Sequence, residues 1–562
     1  MEKPDQIMLS RSGEDPGDAG GFRALPRRQV MLTMAAVMLA MFLSSMDQTI
    51  VGTAMPRIIA DLGGFAHYTW VTTAYLVTST AALPIVGKVT DIYGRKWIYI
   101  GGIVIFLLGS ALSGLSQTID QLIFFRAFQG IGAGVMMANA FIVIGDLFPP
   151  AERGKYAGIT MSVFGLSAII GPLLGGFITD QLSWRWVFYV NIPIGIPAIA
   201  FFVLFFPKIR PAAVKQQLDY LGVATLVLAV VPMLLALSWG GSEYPWVSAQ
   251  VIGTLVFAAV MAALFIRTES RAADPFIPLE IFRNPIVSIS TLALFFIGFG
   301  MLSVTTFIPL FFQGVLGSSA TNSGAFLTPM MLGLVAGSIL SGQALSRMGG
   351  HYRIQGLVGL AFMALGMALL SHMSVSTTYG QAVFNIVLMG FGLGIALPIF
   401  TIAVQNAVPY RIMGVATSSA QFFRAIGGTM GLAILGSVMT SHFASKLTSV
   451  VSSDVKEALA PGQLSALAHN PQALVSPEAQ AQLQAQFNQT GSQGAGLLQQ
   501  LLDAMRHALS SALSEVFLMT LAAAAIAWLI VIFLKEIPLR GRTVISTEMT
   551  PPQAEHDKTH GS

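Results

Sequence analysis

The segment GKVTDIYGRK, residues 87–96, separates two long apolar runs and has a weaker second copy later in the chain. The second copy, GQALSRMGGHYR at residues 342–353, begins about 255 residues further on and also follows an apolar run. Nearly the same offset carries the glycine-rich residues 171–175 onto residues 427–431. The sequence therefore predicts two related helical bundles, and two such halves around a central site are typical of secondary transporters.

The composition predicts an all-α integral membrane protein. Of the 562 residues, 54% are hydrophobic and only 10% are charged, whereas soluble domains carry about 25% charged residues. A transmembrane helix needs about 20 apolar residues, and the chain contains fourteen apolar segments of this kind. The seventh and eighth segments fall between the repeats, which predicts two six-helix bundles with two inserted helices. The approximate spans are 30–54, 68–87, 97–115, 120–146, 156–180, 187–206, 219–239, 249–267, 286–312, 324–346, 354–372, 379–407, 412–440 and 512–535.

These spans divide the chain into five regions and one long outer loop. The loop, at about 441–511, is rich in Gln and Ala, and its apolar residues recur at helical spacing near 497–509. We expect one or two amphipathic helices there, with a surface for an outer-face protein partner; a solvated, partly disordered loop is the alternative. The five regions are a cytoplasmic tail at 1–29, an N-terminal bundle at 30–207, a linker with two extra transmembrane helices at 208–284, a C-terminal bundle at 285–535 and a cytoplasmic tail at 536–562.

The distribution of basic residues predicts the orientation. With a cytoplasmic N-terminus, 23 of the 30 Lys and Arg residues fall on the cytoplasmic side and five fall in outer loops. Such a bias follows the positive-inside rule, and an even number of helices returns the C-terminus to the cytoplasm. We therefore expect a multi-pass protein of the cell membrane. The absence of cysteine excludes disulfides, thiol nucleophiles and thiolate metal sites.

Asp47 is the only charged residue in the first apolar run. A carboxylate at membrane depth costs about 2.5–3.5 kcal/mol on insertion scales, so it is a functional-site hypothesis by default. The alternative is that Asp47 lies near the outer end of its helix and reaches water or a neighbouring helix. Arg126, in RAFQGIGAGVMMAN, is a second intramembrane charge. A buried guanidinium stays charged and favours the ionised form of a nearby carboxylate, whereas an arginine at the interface would extend to water.

The segment at residues 87–96 has the pattern G-x3-D-x2-G-R-K and resembles the signature loop of the major facilitator superfamily. An aspartate at a helix end can pair with a cation or with the N-terminus of a neighbouring helix, and a glycine permits a tight turn. We interpret the loop as a latch that holds one conformation. Ser346 replaces the aspartate in the second copy, which weakens the pattern there. The latch residues are Gly87, Asp91, Gly94, Arg95 and Lys96.

The fifth apolar segment contains a stripe of small residues, GLSAIIGPLLGGFITD. Small residues allow close contact between membrane helices, and a proline can bend a helix because it lacks a backbone donor. By itself such a stripe indicates packing, but here it resembles the antiporter motif G-x5-G-P-x2-G-G, which is tied to exporters of the superfamily. The motif residues are Gly165, Gly171, Pro172, Gly175 and Gly176.

Taken together, these motifs resemble the fourteen-helix drug:proton antiporter family of the major facilitator superfamily over about residues 30–440 and 512–535. SSMDQTIVGTAMPRI at 44–58 resembles that family's helix-1 motif, and RAFQGIGAGVMMAN resembles its helix-4 motif. The resemblance implies that Asp47 and Arg126 take part in proton coupling. The implied function is export of hydrophobic or amphiphilic compounds in exchange for protons. A lipid or glycolipid exporter that uses the long outer loop is the alternative.

A membrane enzyme or a scaffold is a weaker interpretation. The eight histidines are scattered, and HExxH, G-x-S-x-G and the phosphate-binding GKS/T loop are absent. We therefore predict no catalytic residues, no metal, no cofactor and no nucleic-acid partner; the expected partners are an amphiphile or lipid, protons and membrane lipids.

The sequence also suggests residues for a central cavity, in which Asp47 is the only clear acid. Either Asp47 serves both proton and substrate, or the substrate needs no counter-charge. Met and aromatic side chains adapt to varied amphiphiles, although they are equally common in helix packing. The candidate cavity residues are Met38, Phe141, Phe299, Gln405, Asn406 and Arg424, the last in SSAQFFRAIGGTMG.

Overall fold

The computed structural model describes residues 26–62, 70–207, 219–241, 243–272, 274–317, 323–347, 350–460, 462–468, 474, 477–488 and 494–538. Within these ranges the chain is helical and has no β-sheet. Fourteen of the described helices are long and apolar enough to cross a membrane, which confirms the predicted all-α architecture. Most of both predicted tails and part of the predicted linker lie outside the described residues.

The N-terminal half consists of seven helices that form six spans, because the short helix α6 and helix α7 together form one span. Small residues let these helices approach closely; for instance, a Cβ on Gly132 would lie 2.8 Å from the Phe106 Cα of a neighbouring helix. The helices are α1 (Arg27–Leu62), α2 (Trp70–Tyr93), α3 (Arg95–Gly114), α4 (Ile119–Leu147), α5 (Pro150–Gln181), α6 (Trp186–Tyr189) and α7 (Asn191–Phe205).

Two inserted helices, α8 (Tyr220–Trp239) and α9 (Ala249–Glu269), pack on each other, and α8 also contacts α2. The insertion is tied to α2 by Lys88, whose Nζ donates to Asp274 Oδ1 and to the Pro275 carbonyl, both at 3.0 Å. The two extra helices are therefore fastened to the N-terminal bundle directly beside the 87–96 segment.

The C-terminal half contains six spans and a helical cap. The cap differs from the predicted outer loop, because residues 441–450 continue α14 and residues 494–511 begin α18. Apolar side chains continue at helical spacing past the span: Leu447 and Leu501 are both fully buried. The helices are α10 (Pro285–Leu310), α11 (Ser323–Arg347), α12 (Tyr352–Ser371), α13 (Tyr379–Ala407), α14 (Met413–Val450), the cap helices α15 (Ser453–Ala458), α16 (Gln463–Ala468) and α17 (Pro477–Asn488), and α18 (Gly494–Val531).

The two ends of the helical bundle differ in charge. We name the end that carries Arg27, Arg95, Arg153 and Arg411 the basic end, and the end that carries the cap the cap end. The two bundles meet mainly where α2 contacts α14 and where α5 contacts α11.

Candidate transport site

A cavity of about 170 Å³ lies between the two bundles. Helices α1, α2, α4 and α5 form one side of it, and α10, α11, α13 and α14 form the other. Its wall is mainly apolar, with Met side chains from both bundles and Phe141 and Phe164 from the N-terminal bundle. The polar residues in the wall are Gln48, Ser79, Thr80, Gln421, Arg424 and Thr429.

Three of the six predicted cavity residues line this cavity or a smaller one next to it. Phe141 and Arg424 line the main cavity, and Gln405 lines a cavity of about 20 Å³ toward the basic end. The other three line neither cavity in this conformation, because each side chain is used in packing or bonding elsewhere. Met38 packs against the core of the N-terminal bundle, Phe299 packs against Gly431 of α14, and Asn406 Nδ2 donates to the Pro538 carbonyl at 3.2 Å.

Asp47 and Arg126 form a fully enclosed ion pair, with Arg126 Nη1 at 2.5 Å from Asp47 Oδ2. The other carboxylate oxygen, Oδ1, accepts from Gln129 Nε2 at 2.9 Å and from Asn191 Nδ2 at 2.8 Å. Asp47 is 0% exposed and Arg126 is 1% exposed. The alternative that these charges extend to water is therefore wrong for this conformation.

Two further groups support the arginine of this pair, and a third supports the carboxylate. Arg126 Nη1 also donates to Gln129 Oε1 at 2.8 Å, and its Cζ lies 4.2 Å from the centre of the Tyr75 ring, a cation–π contact. Asn191 bridges the two sides of this site, because its Nδ2 donates to Asp47 Oδ1 at 2.8 Å and to Ser110 Oγ at 2.9 Å. A buried ion pair needs this kind of additional bonding to offset the loss of hydration.

The ion pair lies behind the cavity wall rather than in it. Gln48, the next residue after Asp47, lines the cavity, whereas both oxygens of Asp47 are bonded to side chains of α4 and α7. In this conformation a substrate in the cavity would contact Gln48 and not the carboxylate. The candidate proton site, Asp47, and the residue that would contact the substrate, Gln48, are therefore adjacent residues of α1.

The 87–96 segment joins the bundles at the basic end. Asp91 Oδ1 bonds Arg95 Nη1 at 2.6 Å, and Asp91 Oδ2 accepts from the backbone N–H of Val415 at 3.1 Å. Val415 lies in the first turn of α14, where the helix dipole favours a negative charge. Arg95 Nε in turn donates to Asp146 Oδ2 at 2.9 Å, so one arginine lies between two acids.

The other residues of the segment have geometric roles. Gly94 has a φ of 87°, a left-handed conformation that glycine adopts readily. A Cβ on Gly87 would lie 2.9 Å from the Gly414 carbonyl of α14, so glycine permits the contact between bundles. Lys96 Nζ donates at 2.8 Å to the carbonyls of Val203 and Phe206 at the end of α7, which fastens α3 within its own bundle.

A second contact closes the basic end, and sequence reasoning missed it. Arg153 Nη1 donates to Gln405 Oε1 of the opposite bundle at 3.1 Å, while Nη2 bonds the Gly145 carbonyl at 2.7 Å. Beside it, a Cβ on Gly154 would lie 2.6 Å from the Gly342 Cα. The main cavity is therefore closed toward the basic end by two sets of contacts.

The small-residue stripe of α5 packs against both bundles. Gly171 contacts Thr49 and Gly175 contacts Ile50, both on α1 immediately after Asp47, whereas a Cβ on Gly165 would lie 2.9 Å from the Met331 Cβ of α11. Pro172 lies inside α5 without ending it. The stripe therefore holds α5 against the segment of α1 that carries the ion pair.

We expect Gly171→Ala to lower both thermal stability and transport, because a methyl group there would overlap Thr49 and force α1 away from α5. Overpacking of this kind costs about 1–3 kcal/mol. Gly176→Ala is the matched control, because a Cβ at Gly176 meets nothing within 4 Å. Melting curves and transport rates of the two purified variants would measure the difference. Equal losses in Gly171→Ala and Gly176→Ala would contradict this packing argument.

Comparisons with known proteins place these features in a family. The family model described as Major Facilitator Superfamily matches residues 37–218 and 220–432. Multidrug transporter protein MdtP of Bacillus subtilis (strain 168) is 38% identical over 518 residues, which cover 91% of this chain and 94% of MdtP. Multidrug resistance protein 3 of the same organism is 38% identical over 514 residues, with 92% and 96% covered. The crystal structure of the human organic anion transporter MFSD10 superposes with a TM-score of 0.56 at 13% identity, covering 89% of this chain and 100% of that one, which shows a shared fold.

Proposed function

The chain belongs to the major facilitator superfamily and resembles multidrug exporters, and from this premise we propose that it exports amphiphilic compounds in exchange for protons. Its family consists of transporters and not of enzymes. The observation that carries the proposal is the enclosed pair of Asp47 and Arg126 beside the cavity residue Gln48. A carboxylate in this position can change its charge without touching the substrate.

The mechanism is alternating access by movement of the two bundles. Protonation of Asp47 removes the charge that Arg126 pairs with, and the three donors around the carboxylate then lose their charge-assisted bonds. Because Gly171 and Gly175 hold α5 against this part of α1, a change in the pair is passed to α5, which also contacts α11 of the other bundle. The proton-motive force supplies about 2.3 kcal/mol per charge for each 100 mV.

The protein is oriented with its basic end in the cytoplasm of the cell. The positive-inside rule supports this orientation, and the conformation described here is then closed to the cytoplasm by Asp91–Val415 and Arg153–Gln405. In this orientation α1 begins and α18 ends on the cytoplasmic side, which supports the proposal that both termini are cytoplasmic.

Proteoliposomes with an imposed pH gradient test the proposal. A fluorescent amphiphile should accumulate against its gradient when the pH gradient is present, and its addition should release protons that a pH dye reports. Accumulation that persists at full rate without a pH gradient, after the membrane potential is clamped with valinomycin and potassium, would contradict proton coupling.

Lipid export is a second candidate, and one surface favours it. A wholly apolar groove of about 430 Å³ lies between α11 and α13, with Leu332 and Phe384 on its rim at 65% and 61% exposure. The groove shares no lining residue with the central cavity. A labelled phospholipid in the same proteoliposomes decides between the candidates: lipid movement that depends on the pH gradient supports lipid export, and its absence alongside amphiphile transport excludes it.

A further inference from the structure

In the part of the chain that the structure describes, the wall of the central cavity carries a positive charge and no negative one. Among the described residues that line the main cavity, Arg424 is the only charged side chain. The smaller cavity toward the basic end adds Arg153 and no acid. Arg424 lies eleven residues after the start of α14, which is about 16 Å along the helix at 1.5 Å per residue. The charge is therefore near the middle of the membrane, where its hydration is poor.

Arg424 retains most of its hydrogen-bonding capacity. Its Nε donates to Gln421 Oε1 at 2.8 Å, which uses one of the five N–H donors of a guanidinium. None of the ion pairs between described residues includes Arg424. Asp47 does not supply the missing charge, because it is fully buried and already paired with Arg126.

We propose that this cavity binds anionic amphiphiles, with a carboxylate, sulfonate or phosphate group on Arg424 and an apolar body against the methionines and phenylalanines of the wall. The guanidinium is planar and bonds such oxyanions through two parallel N–H donors. Met41, Met137, Met301, Phe141 and Phe164 provide an adaptable apolar surface around it. The proposal rests on the proposed function in one respect, namely that this cavity is the transport site.

An anionic substrate also changes the charge moved in each cycle. Exchange of one inward proton for one outward monoanion moves two positive charges inward, whereas exchange for a monocation moves none. Export of an anion through this site is therefore accelerated by a membrane potential that is negative at the basic end. Export of a monocation at the same proton stoichiometry is not.

A matched pair of ligands tests the proposal: pyrenebutanoate and pyrenebutyl-trimethylammonium, which share the apolar body and differ in the charge of the head group. We expect wild-type protein in nanodiscs to bind the carboxylate at least tenfold more tightly. Arg424→Gln should weaken carboxylate binding about tenfold, the effect of losing one charge-assisted interaction, and Arg424→Lys should keep the preference for the anion. Tighter binding of the cation by wild type, or unchanged carboxylate affinity in Arg424→Gln, would overturn the proposal.

Two further variants separate charge from folding. Gln421→Glu places a carboxylate beside the intact Arg424 and should shift the preference toward the cation without removing the arginine. Arg506→Gln makes the same substitution at the cap, where Arg506 pairs with Asp503 at 3.3 Å, and should leave both affinities unchanged. Because binding in nanodiscs needs no gradient, loss of pH-driven transport with an intact anion preference would contradict only the proposed function.

Discussion

Asp47→Asn should abolish transport driven by a pH gradient while leaving exchange of substrate down its own gradient measurable. Asparagine fills nearly the same volume but cannot take up and release a proton. Because Asp47 lies behind the cavity wall and Gln48 lines it, the substitution leaves the substrate surface in place. The comparison of gradient-driven uptake with substrate exchange in proteoliposomes measures this separation.

The same variant should also lose stability. Removing one partner of a buried ion pair costs about 3–5 kcal/mol, because the remaining charge is left without compensation. Asp47→Asn combined with Arg126→Gln should recover much of this stability but not the coupled transport. Melting temperatures in detergent, measured beside the transport rates, distinguish the two effects.

Asp61→Asn is the control, because Asp61 lies on the same helix and also pairs with an arginine. Hydrogen bonds from Trp184 and Arg185 lower the pKa of Asp61, so it stays ionised over the working pH range. Its side chain is 52% exposed, and exposed ion pairs contribute little. We expect normal coupling in this variant. Full pH-driven transport by Asp47→Asn would refute the proton-binding role of Asp47.

The separation of the candidate proton site from the candidate substrate site could not be predicted from the sequence. Asp47 and Arg126 could be selected because each is a rare charge in an apolar run. The neighbours that bond them depend on how each helix is rotated about its axis. In the sequence, Gln129 and Asn191 are polar residues that nothing marks as partners of the pair. Among the described residues, the bonds of Asp47 are to its own bundle, which favours the second possibility, a substrate that does not use Asp47 as a counter-charge.

Helix ends and cavity walls were the least predictable features. In the sequence, Asp146 ends the fourth apolar segment and Arg153 lies in the short stretch before the fifth. At such positions a charge in water and a charge in a contact between helices have the same sequence signature. Their roles follow from contacts with Arg95 and Gln405, about 50 and 250 residues away. Met38, Phe299 and Asn406 line neither cavity in this conformation. These helices are apolar on most faces, so composition does not identify the face toward the cavity. The helices themselves were predictable, because their length is set by the membrane.

Asp91→Asn should open the basic end. The substitution removes the charge that Arg95 and the N-terminus of α14 share, and thus weakens the contact between the α2–α3 loop and the opposite bundle. Hydrogen bonds to charged groups contribute about 1.5–3 kcal/mol each, and 1.4 kcal/mol changes an equilibrium tenfold. We expect the population open at the basic end to rise roughly tenfold, and the transport rate to fall because return to the closed state is less favourable.

The chain has no cysteine, so a single introduced thiol can report this opening. Ala157 lines the small cavity beneath the contact of Arg153 with Gln405 and is 7% exposed. In inside-out vesicles, a membrane-impermeant maleimide should label Ala157→Cys slowly, and about tenfold faster when Asp91→Asn is added. Asp503→Asn, which breaks a pair at the cap, should leave the rate unchanged. Equal labelling rates with and without Asp91→Asn would mean that the Asp91 contacts do not control the opening of this end. The contact of Arg153 with Gln405 and the glycine contact at Gly154 would then close it by themselves.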